Sequence, residues 1–413
     1  MNDSTWSIEQ FPAIRAARDD VYRDLHAHPE LSHQEHRTAA IVAERLRAAG
    51  CDVHQNIGGT GVVAVVRNGD GPVVLQRADM DALPVRETTG VDYASTVTTD
   101  DGTPVMHACG HDVHVACLVA ATEVMVANRE HWSGTLVALF QPGEETADGA
   151  RGMVEDGLVD LVGPIDVAMA QHVLPLPAGT LGTRSGPVLS AADSMRITLH
   201  GRGAHGSMPQ ASVDPVVLAA SIVTRLQTVV AREVAPGDTA VLTVGSIQAG
   251  TKSNVIPDQA VLLVNTRTYD EQVREHVLAA IERIVRAECE ASGCPREPEL
   301  ELFDRFGLTD NDPAVTERVA TAFADHFGDR AGQLPQQSAS EDFSDIPKAF
   351  SAPYTYWGIG GIDPDTYRSA AAAGRIAQDI PVNHAADFAP VVEPTLDTGT
   401  EALLAAALAY LAD

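Results

Sequence analysis

Five segments of this chain carry side chains of the types that hold divalent metal ions. Cys109 and His111 lie in His107-Ala108-Cys109-Gly110-His111-Asp112-Val113-His114, and Glu144 and Glu145 follow Gln141-Pro142-Gly143. His172 follows Ala170-Gln171, and His384 follows Asn383 far downstream. Asp79 and Asp81 stand two apart in Arg77-Ala78-Asp79-Met80-Asp81-Ala82-Leu83-Pro84. Thiolate, imidazole and carboxylate are the donors of zinc-like ions. Hydrolysis at such a site also needs a base that is not itself a ligand. Adjacent glutamates meet that need if one binds metal and its neighbour takes a proton from water. Asp79 and Asp81, spaced to share a face of a strand, are candidates to orient the ligating groups. His114 shares a helix face with His111 and reads more plainly as a packed or hydrogen-bonding residue.

These groups need a scaffold that brings distant segments together. Apolar runs at Gly61–Val66, Pro72–Gln76, Thr135–Phe140 and Asp166–Gln171 read as strands covered on both faces. Asp79/Asp81, Glu144/Glu145 and His172 each stand where such a run gives out, the usual address of functional groups in open α/β sheets. Helices are expected over Ile8–Ala27, broken before Pro29, and over Glu35–Ala49 and His111–Asn128. From about Ala191 the pattern changes. Strands at Ser194–His200, Thr239–Ile247, Ala260–Arg267 and Glu299–Phe303, with helices at Asp214–Val234 and Asp270–Glu290, give the order βαββαβ of a ferredoxin-like unit. The expected architecture is α/β, with a discontinuous metal-binding catalytic domain (residues 1–190 and 306–413) and an inserted domain (residues 191–305). The inserted part contains His205, in Gly203-Ala204-His205-Gly206, and Asn254, in Ser253-Asn254-Val255, both of which read plainly as loop residues. Arg267, at a strand end, reads no differently from the residues alone.

At 413 residues the chain is long enough for two cores, and its 45% hydrophobic and 21% charged content is that of a globular protein. The formal net charge of −29 would repel nucleic acid and anionic membrane surfaces. No run approaches the ~18–20 apolar residues of a membrane span. The first residues lack the basic start and apolar stretch of a signal peptide, so the expected location is cytoplasmic. Five cysteines, Cys51, Cys109, Cys117, Cys289 and Cys294, are too few and too odd in number for a disulfide framework.

Taken together, the motifs resemble those of the M20 metallopeptidases, and within them the amidohydrolase subgroup of hippurate hydrolases, N-acyl-amino-acid amidohydrolases and auxin-conjugate hydrolases. The resemblance runs through His26-x-His28-Pro29-Glu30-Leu31, the Arg77–Pro84 and Ala108–Asp112 runs and Gln141-Pro142-x-Glu144-Glu145. It continues through Gly203-Ala204-His205, Asn254-Val255-Ile256-Pro257, Ser340-Glu341-Asp342-Phe343 and Asn383-His384. It implies an aminopeptidase-like catalytic domain holding two divalent ions, zinc first, with manganese, cobalt or nickel as alternatives. It implies Cys109, His111, Glu145, His172 and His384 as ligands, Cys109 replacing a histidine of other M20 branches, and Glu144 as general base. It casts His205 as an oxyanion donor that reaches the site of a partner subunit; on this reading Asp81 supports the ligands, Asn254 contacts the substrate and Arg267 could hold its carboxylate. The inserted domain would then be a lid that also forms a homodimer. The implied reaction is cleavage of the amide bond of small N-acyl amino acids. A metallo-dipeptidase or carboxypeptidase is the alternative, and a hydrolase with Cys109 as nucleophile a more distant one.

Overall fold

The computed structural model describes residues 6–412. They form two compact units. The first runs up to Val188 and takes in Asp310–Gln336 and the chain from Asp342 onwards; the second comprises Leu189–Thr309 and a short return, Gln337–Glu341.

The first unit is built on an eight-stranded sheet. Its order is Asp52–Ile57, Gly61–Asn68, Gly134–Gln141, Val73–Asp79, Val167–Pro177, Tyr354–Ile362, Leu181–Thr183 and Ala331–Gln333. The four central strands, from Gly134–Gln141 to Tyr354–Ile362, are mutually parallel. Leu136 to Phe140 are fully buried, as are Val62 to Ala64, which is how strands covered on both faces read. The helix His111–Ala127 is buried almost all round and packs against Pro12–Ala27 and Val392–Leu411. A helix without a polar face has nowhere to go but the interior.

Local differences from the sequence reading have local causes. The first helix starts at Pro12, not Ile8, because Pro12 occupies its first turn, and Ile8–Gln10 forms a separate 3-10 turn capped by Ser7. It ends at Ala27, since His28 precedes Pro29 and is sterically kept from helical geometry. The strand expected to stop at Gln171 runs on to Pro177, so His172 lies within a strand rather than at its end. Its continuation is paired with Tyr354–Ile362, with His172 opposite Gly358. That partner lies almost two hundred positions away and left no local signal.

The second unit is a four-stranded antiparallel sheet in the order Ala240–Ala249, Gln259–Thr268, Ala191–His200, Glu299–Phe306. Helices Pro215–Arg232 and Glu271–Ala291 pack on it through Leu218, Ile222, Leu226, Val229, Val277, Ile281, Ile284 and Val285. This is the βαββαβ arrangement. Asp214 and Asp270 cap the two helices by accepting backbone N–H bonds of their first turns. Pro215–Arg232 is the one described helix long and apolar enough to cross a membrane, which the sequence reading overlooked. Its apolar stripe lies on the sheet, which accounts for its composition.

Candidate metal centre

All five expected ligands lie in the first unit, on four separate segments, and the fold brings them together. Cys109, Glu145 and His384 each offer a ligand atom within 4.8 Å of the others, and so do His111, Glu144 and Glu145. His172 Nε2 stands 3.4 Å from Cys109 Sγ. Glu145 Oε1 lies 3.2 Å from His384 Nε2 and 4.0 Å from His111 Nε2. Glu145 thus links the two groups, and Cys109 joins His172 to the first.

Two turns make this convergence possible. Gly110 adopts φ 82° before the helix that starts at His111, and a Cβ there would stand 2.4 Å from Val173. Gly143 adopts φ 58° before Glu144, and a Cβ there would meet the His33 ring at 2.5 Å. Only glycine supplies both the left-handed backbone and the close approach. His384, exposed and at φ 70°, is tied down by its amide, which donates to Ala108 O at 2.8 Å. Asn383 Nδ2 donates to Cys109 O and Val173 O, each at 3.1 Å, and so joins three ligand-bearing segments.

The imidazoles are oriented by their other nitrogens. His111 Nδ1 donates to Asp81 Oδ1 at 3.1 Å, and His172 Nδ1 donates to Val173 O at 2.8 Å. Each bond fixes the tautomer that leaves Nε2 as a lone-pair donor facing the cluster, the arrangement of ligating histidines. Among the described residues His111 Nε2 and Glu145 Oε1 are buried with no hydrogen-bond partner, Glu145 Oε1 having an ion-pair contact with His384. Buried polar atoms are otherwise almost always satisfied, so two orphans aimed at one another fit a cation between them. His114 belongs to the support. Its Nδ1 donates to Asp79, and its Nε2 accepts the Val173 N–H at 2.9 Å, so neither nitrogen is left for a metal.

The electrostatics point the same way. Burial would lower the basicity of His111, but Asp79 and Asp81 overcome it and raise its pKa to about 10, so the carboxylates that favour a proton on this ring would equally favour a metal cation in the proton's place. Burial opposes the charge on Asp81 too, yet the His111 bond and charge, the Glu145 N–H and the Ser32 hydroxyl hold it below the usual carboxylate range. Burial, together with Glu145, Glu144 and Asp79, pushes the Cys109 thiol well up. Burial and the neighbouring His114 push His172 well down, and burial takes His107 to about 4. A nucleophilic cysteine needs a depressed pKa and a basic imidazole. The Cys109 thiol is pushed up, and His172, the imidazole 3.4 Å from its sulfur, is pushed down, whereas a cation among these carboxylates would draw the thiol to thiolate.

A further ring of residues braces the Gln141–Glu145 turn. Glu35 accepts the Gly143 N–H at 2.9 Å, and Arg77 Nε donates to Gln141 Oε1 at 2.8 Å. Asp342 accepts Gln141 Nε2 at 2.6 Å and the Ala150 N–H at 2.9 Å. Sequence reading gave no role to Glu35 or Asn383, because a bracing carboxylate or amide has no spacing signature. The other expected residues lie in the second unit. His205 and Asn254 are exposed, in or beside a two-stranded ladder that pairs His205 with Val255. Arg267 is half-buried. Its guanidinium donates to Asn265 Oδ1 at 3.1 Å and Ser340 Oγ at 2.6 Å, both neutral.

Residues 75–373 match the Peptidase family M20/M25/M40. The chain belongs to that family. It is 34% identical over 382 residues to an N-acetylcysteine deacetylase of Bacillus subtilis, covering 91% of this chain and 97% of the relative. It is 38% identical over 304 residues to thermostable carboxypeptidase 2 of Saccharolobus solfataricus, covering 72% and 75%. The solved structure of the Bacillus subtilis YXEP protein, described as a dinuclear metal binding peptidase from the M20 family, matches with a TM-score of 0.77 and 28% identity, covering 96% of this chain and 98% of that one. This M20 chain is accordingly a hydrolase with amidohydrolases among its relatives, and it carries a candidate cluster of metal ligands.

Proposed function

We propose that this chain hydrolyses the amide bond of N-acyl amino acids or similar small amide conjugates, with Glu144 as general base at a two-ion centre. The carrying observation is the convergence of Cys109, His111, Glu145, His172 and His384, with His111 and His172 held in the ligating tautomer. Those five residues would hold two divalent ions, zinc first and manganese, cobalt or nickel as alternatives. Ions bound there would supply Lewis acidity towards a carbonyl oxygen and a more acidic water. Glu144 takes the proton of the attacking water and delivers one to the leaving amine. It is buried beside Glu145, in reach of the ligands yet outside the Cys109–Glu145–His384 group.

Arg267 is the proposed holder of the substrate carboxylate. Among the described residues no carboxylate pairs with it, and burial lowers its pKa, so its charge is incompletely compensated and open to an anion. Asn254 is proposed as a further polar contact. His205 is the proposed oxyanion donor, supplied by a partner subunit in a homodimer formed through the second unit. A reducing, cytoplasmic setting suits five cysteines of which none is in a disulfide.

A carboxypeptidase acting on short peptides is the second reading, favoured by the thermostable carboxypeptidase relative. The same Arg267 would read a peptide's terminal carboxylate. A panel of acetyl-, benzoyl- and long-chain-acyl amino acids against dipeptides with the same terminal residue separates the two. The acyl amino acids should show the higher kcat/KM; uniform preference for peptides overturns the amidohydrolase reading.

A further inference from the structure

The long helix of the second unit ends in a turn that brings two cysteines together. Glu271–Ala291 is followed by Ser292, by Gly293 at φ 69° and by Cys294. The Cys294 N–H donates to Cys289 O at 3.0 Å, and Gly293 N–H donates to Glu290 O at 3.0 Å. These two bonds and the left-handed glycine define a Schellman cap. In that cap the side chain after the glycine packs on the side chain that opens the last turn. Here both are cysteines, Cys289 buried in the core under the helix and Cys294, partly exposed, packed against that core.

We propose that Cys289 and Cys294 are a disulfide-forming pair that staples this helix cap when the protein meets a peroxide. The Cys294-to-Cys289 backbone bond holds the two residues close, and the contact characteristic of this cap sets their side chains on the same side, as a disulfide requires. The five-residue separation closes a small ring within one local motif, so oxidation needs no rearrangement of the sheet. An apolar contact alone would be met by any small hydrophobic residue at either position.

The chemistry balances with a hydroperoxide as oxidant. Cys294 Sγ, the more exposed sulfur, attacks the peroxide; an S–O bond forms, the O–O bond breaks and one water leaves when the oxidant is hydrogen peroxide. Cys289 Sγ then attacks the sulfenic sulfur of Cys294; the S–S bond forms and the hydroxyl departs with the thiol proton as a second water. Burial pushes the Cys289 thiol to about 12 and raises that of Cys294. The pair is therefore protonated at neutral pH, and its oxidation is slow and accelerates with rising pH. Thiol reductants return it to the dithiol. The other three cysteines lie in the first unit.

The test is oxidation of the intact, metal-loaded protein with hydrogen peroxide at pH 8, followed by a thiol count after denaturation and by peptide mapping. The count should fall from five to three, the mass should fall by two hydrogen atoms, and a cross-linked peptide should join Cys289 to Cys294. Dithiothreitol should restore all five. A Cys294→Ser variant, altered only at the partly exposed position, should hold its four thiols under the same treatment. The proposal is overturned if the count stays at five while free Cys294 is alkylated at its usual rate. It is also overturned if the lost thiols map to Cys51 or Cys109, or if the cross-link joins two chains.

Discussion

Asp81 fastens His111 and Glu145 to one carboxylate: its Oδ1 accepts the His111 Nδ1–H at 3.1 Å, while its Oδ2 accepts the Glu145 backbone N–H at 2.9 Å and the Ser32 hydroxyl at 2.7 Å. One buried group thereby sets the tautomer of one proposed ligand and the position of another. Asp81→Ala removes both ties. It should weaken divalent-ion affinity by about 10–100-fold, the usual cost of losing such support. Asp81→Asn, which keeps an acceptor oxygen, should cost less. Competition with a chromogenic chelator measures this. Equal affinity in wild type and Asp81→Ala would show that the imidazole is oriented by something else.

Glu144 and Glu145 are neighbours with separable consequences. Glu144→Gln preserves shape but removes the proton acceptor, so kcat should fall on the order of 10²–10⁴-fold with about two ions per chain retained. Glu145→Gln should lose metal as well as activity. Metal content by elemental analysis, beside kcat for each variant, checks the assignment. Wild-type turnover in Glu144→Gln would remove it as the base, and a fully active protein after exhaustive chelation would remove the metals from the reaction.

Much of this centre was legible because its residues sit at strand ends and helix starts, places that local pattern reveals. Asp79 closes Val73–Asp79, Glu144 follows Gly134–Gln141, and His111 opens its helix. The fold class followed from runs such as Leu136–Phe140, whose continuous apolarity admits no exposed face. What was illegible depends on distant pairing. The central strand Tyr354–Ile362 and the buried helix Val392–Leu411 went unassigned, and with them the reason that the His172 strand continues to Pro177. Asn383 shows the same limit. Its amide bridges Cys109 and Val173, a role set by three chain segments rather than by its own neighbourhood.

Away from the metal centre, His26 gives stability a pH signature. Its ring nitrogens meet Asp112 Oδ2 at 2.6 Å and Glu87 Oε1 at 3.1 Å. Burial lowers its pKa, but the two carboxylates prevail and raise it from 6.5 to about 10. A group raised on folding contributes its full stabilisation below its unfolded pKa and loses it as pH rises through the folded one. The His26 contribution should therefore be complete below pH 6.5 and fade as pH rises towards 10. Denaturant titrations of wild type and His26→Gln across that range isolate it: the gap between the two should shrink as pH rises. A gap independent of pH would mean that His26 is neutral in the folded protein.

His205 is where the second unit meets the chemistry under the proposed mechanism, and its hydrogen bonds make it a donor. Its Nδ1 accepts the Ser207 N–H at 3.2 Å and lies 2.7 Å from the Ser207 hydroxyl. An accepting Nδ1 places the proton of the neutral ring on Nε2, which has no partner among the described residues and is exposed. An N–H held in that way suits a developing oxyanion. His205→Ala should lower kcat by roughly 10²-fold or more while both ions stay bound. The supply of His205 from a partner subunit has its own test, in which inactive Glu144→Gln protein is mixed with inactive His205→Ala protein and subunits are allowed to exchange. If His205 acts across the dimer, a mixed dimer gathers both defects in one site and leaves the other intact. Random exchange makes half of the dimers mixed, so activity should return to roughly a quarter of wild type in a two-fold dimer. Exchange demonstrated by mass-tagged subunits, with no activity regained, would confine His205 to its own chain or remove it from the reaction.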